Sequence, residues 1–256
     1  GNAYDSALRA QVRQLAQGAQ APLFEGVYAW FLGPQFETPA EVRAAQAAGW
    51  GPDQMLHTHP CKTVPNLAES YVAGVRRFVY DTPEELVKLE KYAPDARLYL
   101  RVAEHSDAEL DLSKKFGCAP RDVPALLARA RALGLAVEGL SFHLGSQLLD
   151  PDGYAPAFRR VRGLVDAARR GGHRLEVVDF GGGFPAPYRD PAEVMGLGAY
   201  LRRVGEHAEA AFGGTGLRLA CEPGRALVAE AVTAVVRVLG KSVRNGKTWY
   251  YLDDGV

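Results

Sequence analysis

Three short segments of the sequence place glycines, charged side chains and an imidazole where predicted strands end. They are Ser-Phe-His-Leu-Gly-Ser at 141–146, Asp-Phe-Gly-Gly-Gly-Phe-Pro at 179–185 and Cys-Glu-Pro-Gly-Arg at 221–225. Barrel enzymes carry their functional groups at the carboxyl ends of their strands, so we expect the three segments to meet. Together they predict a cradle for a phosphorylated pyridine ring.

The triple glycine Gly181, Gly182 and Gly183 predicts a phosphate-binding turn. Glycines let backbone N–H groups approach phosphate oxygens without obstruction by a Cβ atom. A tight turn from strand to helix explains the same residues without a ligand. Arg225, after the next predicted strand, favours the phosphate because a guanidinium can pair with it bidentately. The alternative role for Arg225 is a surface ion pair.

Three more side chains suit the rest of such a ligand. Glu222, three residues before Arg225, can place a carboxylate against a pyridine nitrogen and keep that nitrogen protonated, although a buried salt bridge explains it too. His143 ends an apolar strand, where its imidazole can stack on the ring, and Ser146 can reach the phosphate. Taken alone, His143 and Ser146 are each explained by a structural role.

The elements that position these residues follow an alternating pattern. From about residue 54, short β-rich runs alternate with longer segments rich in Ala, Leu, Arg and Glu, which predicts parallel strands joined by helices. The predicted strands are Met55 to His59, Arg76 to Tyr80, Arg97 to Ala103, Ala136 to His143, Leu175 to Phe180 and Leu217 to Cys221. The predicted fold class is α/β, with a TIM-like (β/α) barrel that is incomplete or has a replaced first unit.

The two ends of the chain add further predicted elements. Gly26 to Leu32 suits a strand, which brings the count to about seven, one short of a closed barrel. Thr38-Pro39-Ala40-Glu41 has the spacing of a capping box that opens a helix. After Arg225, alternation in Val232 to Leu239 and Thr248 to Leu252 around Asn245-Gly246 predicts a truncated β extension.

Composition excludes several classes of function. Thirty basic and thirty acidic residues cancel, so we expect neither nucleic-acid nor membrane binding. The three cysteines are far apart and odd in number, which argues against a disulfide framework. No apolar run approaches the roughly 20 residues of a membrane span, and the first residues do not resemble a signal peptide. We therefore expect a cytoplasmic protein.

Five ordered motifs resemble the barrel domain of pyridoxal-phosphate-dependent ornithine/lysine decarboxylases. They are the three segments above together with Pro60-Cys61-Lys62 and Leu-Ser-Lys-Lys-Phe-Gly at 112–117. The likeness covers about residues 50–256. It implies a barrel bearing an accessory β domain, pyridoxal 5'-phosphate as cofactor, a basic amino acid as substrate, and a homodimer.

The resemblance also implies a role for each matching residue. His143 would stack on the cofactor and Glu222 would face the pyridine nitrogen, while Arg101 would approach the edge of the cofactor. The phosphate would be contacted from the glycine turn and from Ser146, Gly224 and Arg225. In the family, decarboxylation leaves negative charge that spreads into the pyridinium ring.

The lysine that this family needs for its imine is not found in the matching place. The family carries it on the first barrel strand, whereas the first lysine of this chain is Lys62, whose family counterpart is not the attachment residue. No catalytic residue is therefore assigned, with Lys62 as the one substitute considered. We expect catalytic impairment, increased by loss of the family's carboxyl-terminal β region.

The first fifth of the chain resembles trimeric-type purine nucleoside phosphorylases. The likeness lies in residues 2–9 and 25–41, and it implies that Phe36 and Glu37 belong to a purine pocket, although an exposed loop carboxylate also explains Glu37. The chain then reads as a chimera with three parts. These are a fragment at 1–50 integrated into the sheet, a cofactor-binding barrel portion at 51–225, and the start of an accessory β domain at 226–256.

Two other functional hypotheses remain beside the impaired decarboxylase. One is a noncatalytic protein that binds the cofactor or regulates a decarboxylase, and the other is a purine nucleoside-binding remnant. His57, His59 and Cys61 alternate on one strand and are metal-capable, but no fourth ligand is evident. We therefore predict no metal site.

Overall fold

The fold is described from a computed structural model of the 256-residue chain. The structure describes residues 39–108, 112–187, 194–229 and 237–252, together with residue 14. The predicted strand Gly26 to Leu32, the residues Phe36 and Glu37, and part of the predicted alternation after Arg225 lie outside the described residues.

Six parallel strands form the main sheet, in the order β1-β2-β3-β4-β5-β6. They are β1 (Leu56–His57), β2 (Arg77–Tyr80), β3 (Arg97–Val102), β4 (Ala136–Phe142), β5 (Val177–Asp179) and β6 (Arg218–Ala220). Each strand pairs with the next one along the chain, as in a TIM-like barrel. All six predicted strands are confirmed, and they curl into part of a barrel.

Helices fill the intervals between the strands. They are α1 (Pro39–Ala47), α2 (Val64–Val72), α3 (Pro83–Tyr92), α4 (Val123–Ala132), α5 (Tyr154–Arg170), α6 (Leu197–Phe212) and α7 (Arg225–Val228). The predicted start of α3 is confirmed, because Thr82 caps it by accepting a hydrogen bond from Glu85 N–H, and Pro83 occupies its first turn. Within the described ranges, no helix is long and apolar enough to cross a bilayer.

The two faces of the sheet bury different residues. On β3, Leu98, Leu100 and Val102 face the helices and join the main core, whereas Tyr99 packs with Val79 on the inner face. This alternation follows from the period of two along a strand. Helices α5 and α6 contribute Tyr154, Phe158, Tyr200 and Phe212 to an aromatic cluster over the ends of β4 and β5, and Phe180 and Phe184 join it from the segment after β5. This cluster supports the segments that follow those strands.

Glu138 holds the opposite end of the sheet together. An irregularity in the β3–β4 register leaves Glu138 without a partner on β3. Its carboxylate lies 2.9 Å from Arg218 Nη2, 3.4 Å from Arg77 Nε and 3.9 Å from Arg97 Nη1. Arginines from three strands therefore meet one carboxylate at the amino-terminal end of the sheet, away from the segments that carry the predicted chemistry.

A separate two-stranded antiparallel sheet follows the barrel portion. It consists of β7 (Val238–Arg244) and β8 (Lys247–Leu252), joined by Asn245 and Gly246. Both turn residues have positive φ angles, 51° and 73°, as a two-residue hairpin turn of type I′ requires. The predicted Asn-Gly turn is thus confirmed, whereas the strand before it extends to Arg244 and does not end at Leu239 as predicted.

Candidate functional site

The ends of β4, β5 and β6 converge on the three glycines that follow β5. Glu222 N–H, after β6, donates to Gly181 O at 2.8 Å, and Leu148 N–H, in the loop after β4, donates to Gly183 O at 3.0 Å. Tyr154 Oη donates to Gly182 O at 3.3 Å. The glycine turn is thus bound on both sides, and the three segments found in the sequence meet at one edge of the sheet.

All three glycines are required by close backbone contacts. A Cβ atom would lie 2.5 Å from Phe142 O at Gly181, 2.6 Å from Glu222 O at Gly182 and 2.2 Å from Gly145 O at Gly183. Gly181 and Gly183 also have φ angles of +66° and +105°, which favour glycine. Close packing therefore explains these three glycines without a ligand. Because glycine has no side chain, their backbone N–H groups are also unobstructed.

His143 lies directly against the glycine turn. A Cβ atom on Gly182 would be 3.3 Å from His143 Nε2, and one on Gly183 would be 3.6 Å from His143 Cε1. Gly145 N–H donates to His143 Nδ1 at 2.9 Å, so Nδ1 is an acceptor. Burial, with a smaller contribution from Arg101, lowers the pKa of His143 to about 4. At neutral pH the ring is therefore uncharged and carries its proton on Nε2.

The loop after β4 is fixed by the side chain of Gln147. Its Nε2 donates to Ala186 O at 2.9 Å and its Oε1 accepts from Ala186 N–H at 2.8 Å. Gln147 is buried and has a φ of 58°, an uncommon conformation for a residue other than glycine. Ser146 precedes it and is partly buried. Gln147, which holds the loop that carries Ser146, was not predicted from the sequence.

Glu222, Gly224 and Arg225 follow β6 in one short turn. Glu222 is partly buried, and its main chain is held by Gly181 as described above. Gly224 precedes α7, and Arg225 is the first residue of that helix and is exposed. The structure therefore places all three at the predicted edge of the sheet.

Arg101 reaches the same edge from β3. It pairs in register with Ser141, which pairs in turn with Asp179, so the three residues share the inner face of the sheet. The Arg101 guanidinium lies over the ring of Phe116, 5.1 Å from its centroid. Arg101 also places positive charge beside two buried groups: it adds to the effect of burial in lowering the pKa of His143, and it opposes the effect of burial, which raises the pKa of Asp179.

Comparison with known proteins assigns this arrangement to a family. The family model "Pyridoxal-dependent decarboxylase, pyridoxal binding domain" matches residues 32–229. The chain belongs to the pyridoxal-dependent decarboxylases. A lysine/ornithine decarboxylase of Selenomonas ruminantium is 33% identical over 228 residues, which are 88% of this chain and 57% of that protein.

Solved structures of decarboxylases share the fold. A lysine/ornithine decarboxylase from Vibrio vulnificus complexed with putrescine has a TM-score of 0.74 at 31% identity, and the match covers 97% of this chain and 69% of that one. A mutant of SrLDC in complex with PLP has a TM-score of 0.72 at 30% identity, with 96% and 60% covered. The chain spans about half the length of the curated relatives it matches, for example 52% of the chloroplastic ornithine decarboxylase of Nicotiana glauca.

The expected fusion of two families gains no support from these comparisons. The decarboxylase match begins at residue 32, inside the stretch that resembles purine nucleoside phosphorylases, and not near residue 50. The Vibrio vulnificus structure aligns with 97% of the chain. Phe36 and Glu37 lie outside the described residues, so the structure assigns no geometry to the nucleoside pocket that was predicted there.

Lys62, the one substitute considered for the decarboxylase lysine, is held in a structural ion pair. Its side chain is fully buried, and Nζ lies 2.9 Å from Glu85 Oε1, whose side chain is 3% exposed. Nζ also donates to Val79 O at 2.6 Å and to His59 O at 3.1 Å. With Pro60 O at 3.3 Å as a third carbonyl acceptor, the ammonium group is held in the protein interior by a carboxylate and three carbonyl groups.

Asp179 is a site residue that the sequence argument did not identify. It ends β5, two residues before the first glycine of the turn, and is 1% exposed. Its Oδ1 accepts a hydrogen bond from Gly181 N–H at 2.9 Å. A carboxyl group in an otherwise apolar strand was the signal available in the sequence.

Among the described residues, no group of three metal-capable side chains occurs, including around His57 and His59.

Proposed function

We propose that this chain binds pyridoxal 5'-phosphate at the carboxyl ends of β4 to β6, as the barrel portion of a decarboxylase of basic amino acids. The observation that carries the proposal is the meeting of His143, the glycine turn and the Glu222 segment at one edge of the sheet. The family match over residues 32–229 supports it. Ornithine and lysine are the substrate class, since the relatives include lysine/ornithine decarboxylases.

Each residue has a role that its surroundings suit. The backbone N–H groups of the glycine turn, the Ser146 hydroxyl and the Arg225 guanidinium would hold the phosphate. The uncharged His143 ring would stack on the pyridine without repelling a proton on the ring nitrogen. Glu222 would accept a hydrogen bond from that nitrogen, and Arg101 would lie at the edge of the cofactor.

The cofactor, when bound, supplies an electron-accepting ring for the charge left by the departing carboxylate. The protein's part is to bind, orient and screen that ring. The aromatic cluster below the glycine turn keeps the supporting loops rigid, and the Gln147 clamp fixes the loop that carries Ser146. The Glu222 carboxylate would keep a proton on the ring nitrogen.

We further propose that binding in this chain is noncovalent and that turnover is impaired. No lysine precedes Lys62 in these 256 residues, and the Lys62 ammonium is occupied by Glu85 and by backbone carbonyl groups. The same observation favours the second candidate function, a noncatalytic protein that binds the cofactor. Measurement of carbon dioxide release distinguishes a decarboxylase with residual activity from a noncatalytic protein. A homodimer also remains a prediction, to be checked by light scattering.

A titration with pyridoxal 5'-phosphate tests the proposal. We expect saturable quenching of tryptophan fluorescence, with no cofactor-lysine adduct detected by mass spectrometry after borohydride reduction. Carbon dioxide release from labelled L-ornithine and L-lysine should stay near background. No saturable binding would refute the proposed function, whereas an adduct on Lys62 would refute the noncovalent mode alone.

A further inference from the structure

Asp179 is a fully buried carboxyl group that the binding roles above leave unused. It lies at the inner face of the sheet, in register with Ser141 on β4 and with Ala220 on β6. Neither neighbour stabilises a charge on it, because Ala220 is apolar and the Ser141 hydroxyl makes no hydrogen bond with a described residue. A buried carboxylate without enough donors is costly, so the contacts of each oxygen decide its state.

The two oxygens of Asp179 have different surroundings. Oδ1 accepts a hydrogen bond from Gly181 N–H at 2.9 Å. Oδ2 is buried, and within the described part of the chain no N–H group or hydroxyl donates to it. Ala220 on β6 pairs in register with Asp179, so Glu222, two residues later, extends from the segment beside Asp179. Oδ2 is therefore the oxygen on which a proton fits best.

The peptide group of Gly181 holds the two acids together. Its N–H donates to Asp179 Oδ1, and its carbonyl oxygen accepts the N–H of Glu222 at 2.8 Å. The two carboxyl groups thus extend from chain segments that one peptide group links. Burial disfavours a charge on each carboxyl group, and two neighbouring carboxylates repel each other even with Arg101 beside Asp179, so we expect one of them to keep a proton.

Other charged and titratable groups surround the pair. Arg101 and Tyr99 approach Asp179 from β3, Cys221 and Glu222 approach it from the end of β6, and His143 lies near Arg101. Burial raises the pKa of Asp179, and this effect outweighs the opposite effects of Gly181 N–H, Glu222 and Arg101. Glu222 is the more exposed acid of the two, so it is the better place for the negative charge.

We propose that Asp179 is a positioning residue that keeps a proton on Oδ2 and donates it as a hydrogen bond to the Glu222 carboxylate. Glu222 would then stay ionised and oriented toward the place where a pyridine nitrogen binds. Because it concerns the ring nitrogen of the cofactor, this role of Asp179 rests on the proposed function. The proton on Asp179 itself is a property of the free chain and can be measured without any ligand.

The first test measures the free chain by 13C NMR with labelled aspartate, in which Asp179→Asn identifies the Asp179 signal. We expect Asp179 to show the chemical shift of a protonated carboxyl at neutral pH, and to move toward the carboxylate shift at higher pH than the other aspartates. An Asp179 signal at the carboxylate position throughout the neutral range would overturn the proposal, whether or not the cofactor binds.

The second test compares ligands with and without a ring nitrogen. Pyridoxine 5'-phosphate has the nitrogen and lacks the aldehyde, and benzyl phosphate lacks both. The Asp179→Ala substitution should lower the affinity for pyridoxine 5'-phosphate by at least about tenfold, because the Glu222 carboxylate loses a hydrogen bond. The affinity of this variant for benzyl phosphate should stay unchanged. Asp179→Asn should stay within about threefold of the wild type, because its amide N–H₂ can donate in place of the hydroxyl.

The second test distinguishes a positioning role of Asp179 from a structural role. Equal losses for both phosphates, or an equal loss in Asp179→Asn and Asp179→Ala, would show a structural role and overturn the positioning role. Thermal melting of each variant establishes that it is folded. If the wild type binds neither phosphate, the proposed function fails, and the NMR titration still decides whether Asp179 holds the proton.

Discussion

The backbone of Gly183 approaches Gly145 so closely that a Cβ atom on Gly183 would lie 2.2 Å from the Gly145 carbonyl oxygen. This contact joins the turn after β5 to the loop after β4. It is reinforced by the hydrogen bond from Leu148 N–H to Gly183 O. The two loops that are proposed to hold the phosphate therefore depend on each other for their conformation.

Gly183→Ala should destabilise the fold and abolish cofactor binding. The new methyl group would collide with Gly145 O, and the φ of +105° is unfavourable for alanine, so we expect a loss of about 3 kcal/mol in the free energy of unfolding. Urea unfolding measures this loss.

Gly163→Ala is the matched control, because nothing lies within 4 Å of its Cβ position. It should be neutral or stabilise helix α5 by up to about 1 kcal/mol. Equal effects of the two substitutions would contradict the contact.

Lys62→Met should destabilise the chain by about 3 kcal/mol without changing cofactor binding. The substitution leaves the buried Glu85 carboxylate with Lys88 as its remaining ion-pair partner among the described residues. Chemical unfolding measures the loss, and a pyridoxal 5'-phosphate titration measures binding. Lys91→Met serves as the control at an exposed position of α3 and should change stability by less than about 0.5 kcal/mol. A loss of binding in a folded Lys62→Met variant would show that Lys62 belongs to the cofactor site.

Because of His143, the free energy of unfolding should decrease as the pH is lowered below neutrality. Its pKa is about 4 in the folded chain, below the ordinary value of 6.5, so the unfolded chain binds the proton first. The stabilisation is complete above the ordinary value and is lost as pH falls toward 4. The loss should reach about 3 kcal/mol at most. The difference in unfolding free energy between wild type and His143→Gln, measured at several pH values, isolates this contribution. A difference that does not change with pH would mean that His143 titrates normally.

Glu138→Gln should destabilise the amino-terminal end of the sheet by about 2 kcal/mol, because Arg77, Arg97 and Arg218 would lose their shared carboxylate. Glu176→Gln is the control, since its partner Arg174 is 92% exposed in the side chain and such pairs contribute little. Cofactor affinity should be unaffected by either substitution. A weaker cofactor affinity in Glu138→Gln would indicate that the two ends of the sheet are coupled.

The sheet could be predicted from the sequence because its strands are short apolar runs set apart by polar helical segments. The parallel strands and the Asn245-Gly246 turn are local patterns, and the structure confirms them. The meeting of His143 with the glycine turn also followed from the rule that parallel strands end at one edge. These predictions needed no knowledge of which side chains lie in contact.

Contacts between distant residues could not be predicted in the same way. The burial of Lys62 depends on Glu85 and Val79, which lie 23 and 17 positions away. The proposed pairing of Asp179 with Glu222 depends on how closely the segments after β5 and β6 approach, as the hydrogen bond from Glu222 N–H to Gly181 O shows. Sequence spacing does not give that distance. The sequence therefore shows that a carboxyl group ends β5, but it does not predict which group the carboxyl contacts.

A crystal structure of the chain grown with pyridoxal 5'-phosphate would show whether the cofactor binds at the edge formed by β4 to β6. We expect density for the phosphate within hydrogen-bonding distance of the glycine-turn backbone and the Arg225 guanidinium, with the ring against His143 and its nitrogen facing Glu222. Density for the cofactor elsewhere, for example at the arginines around Glu138, with an empty edge at β4 to β6, would contradict it.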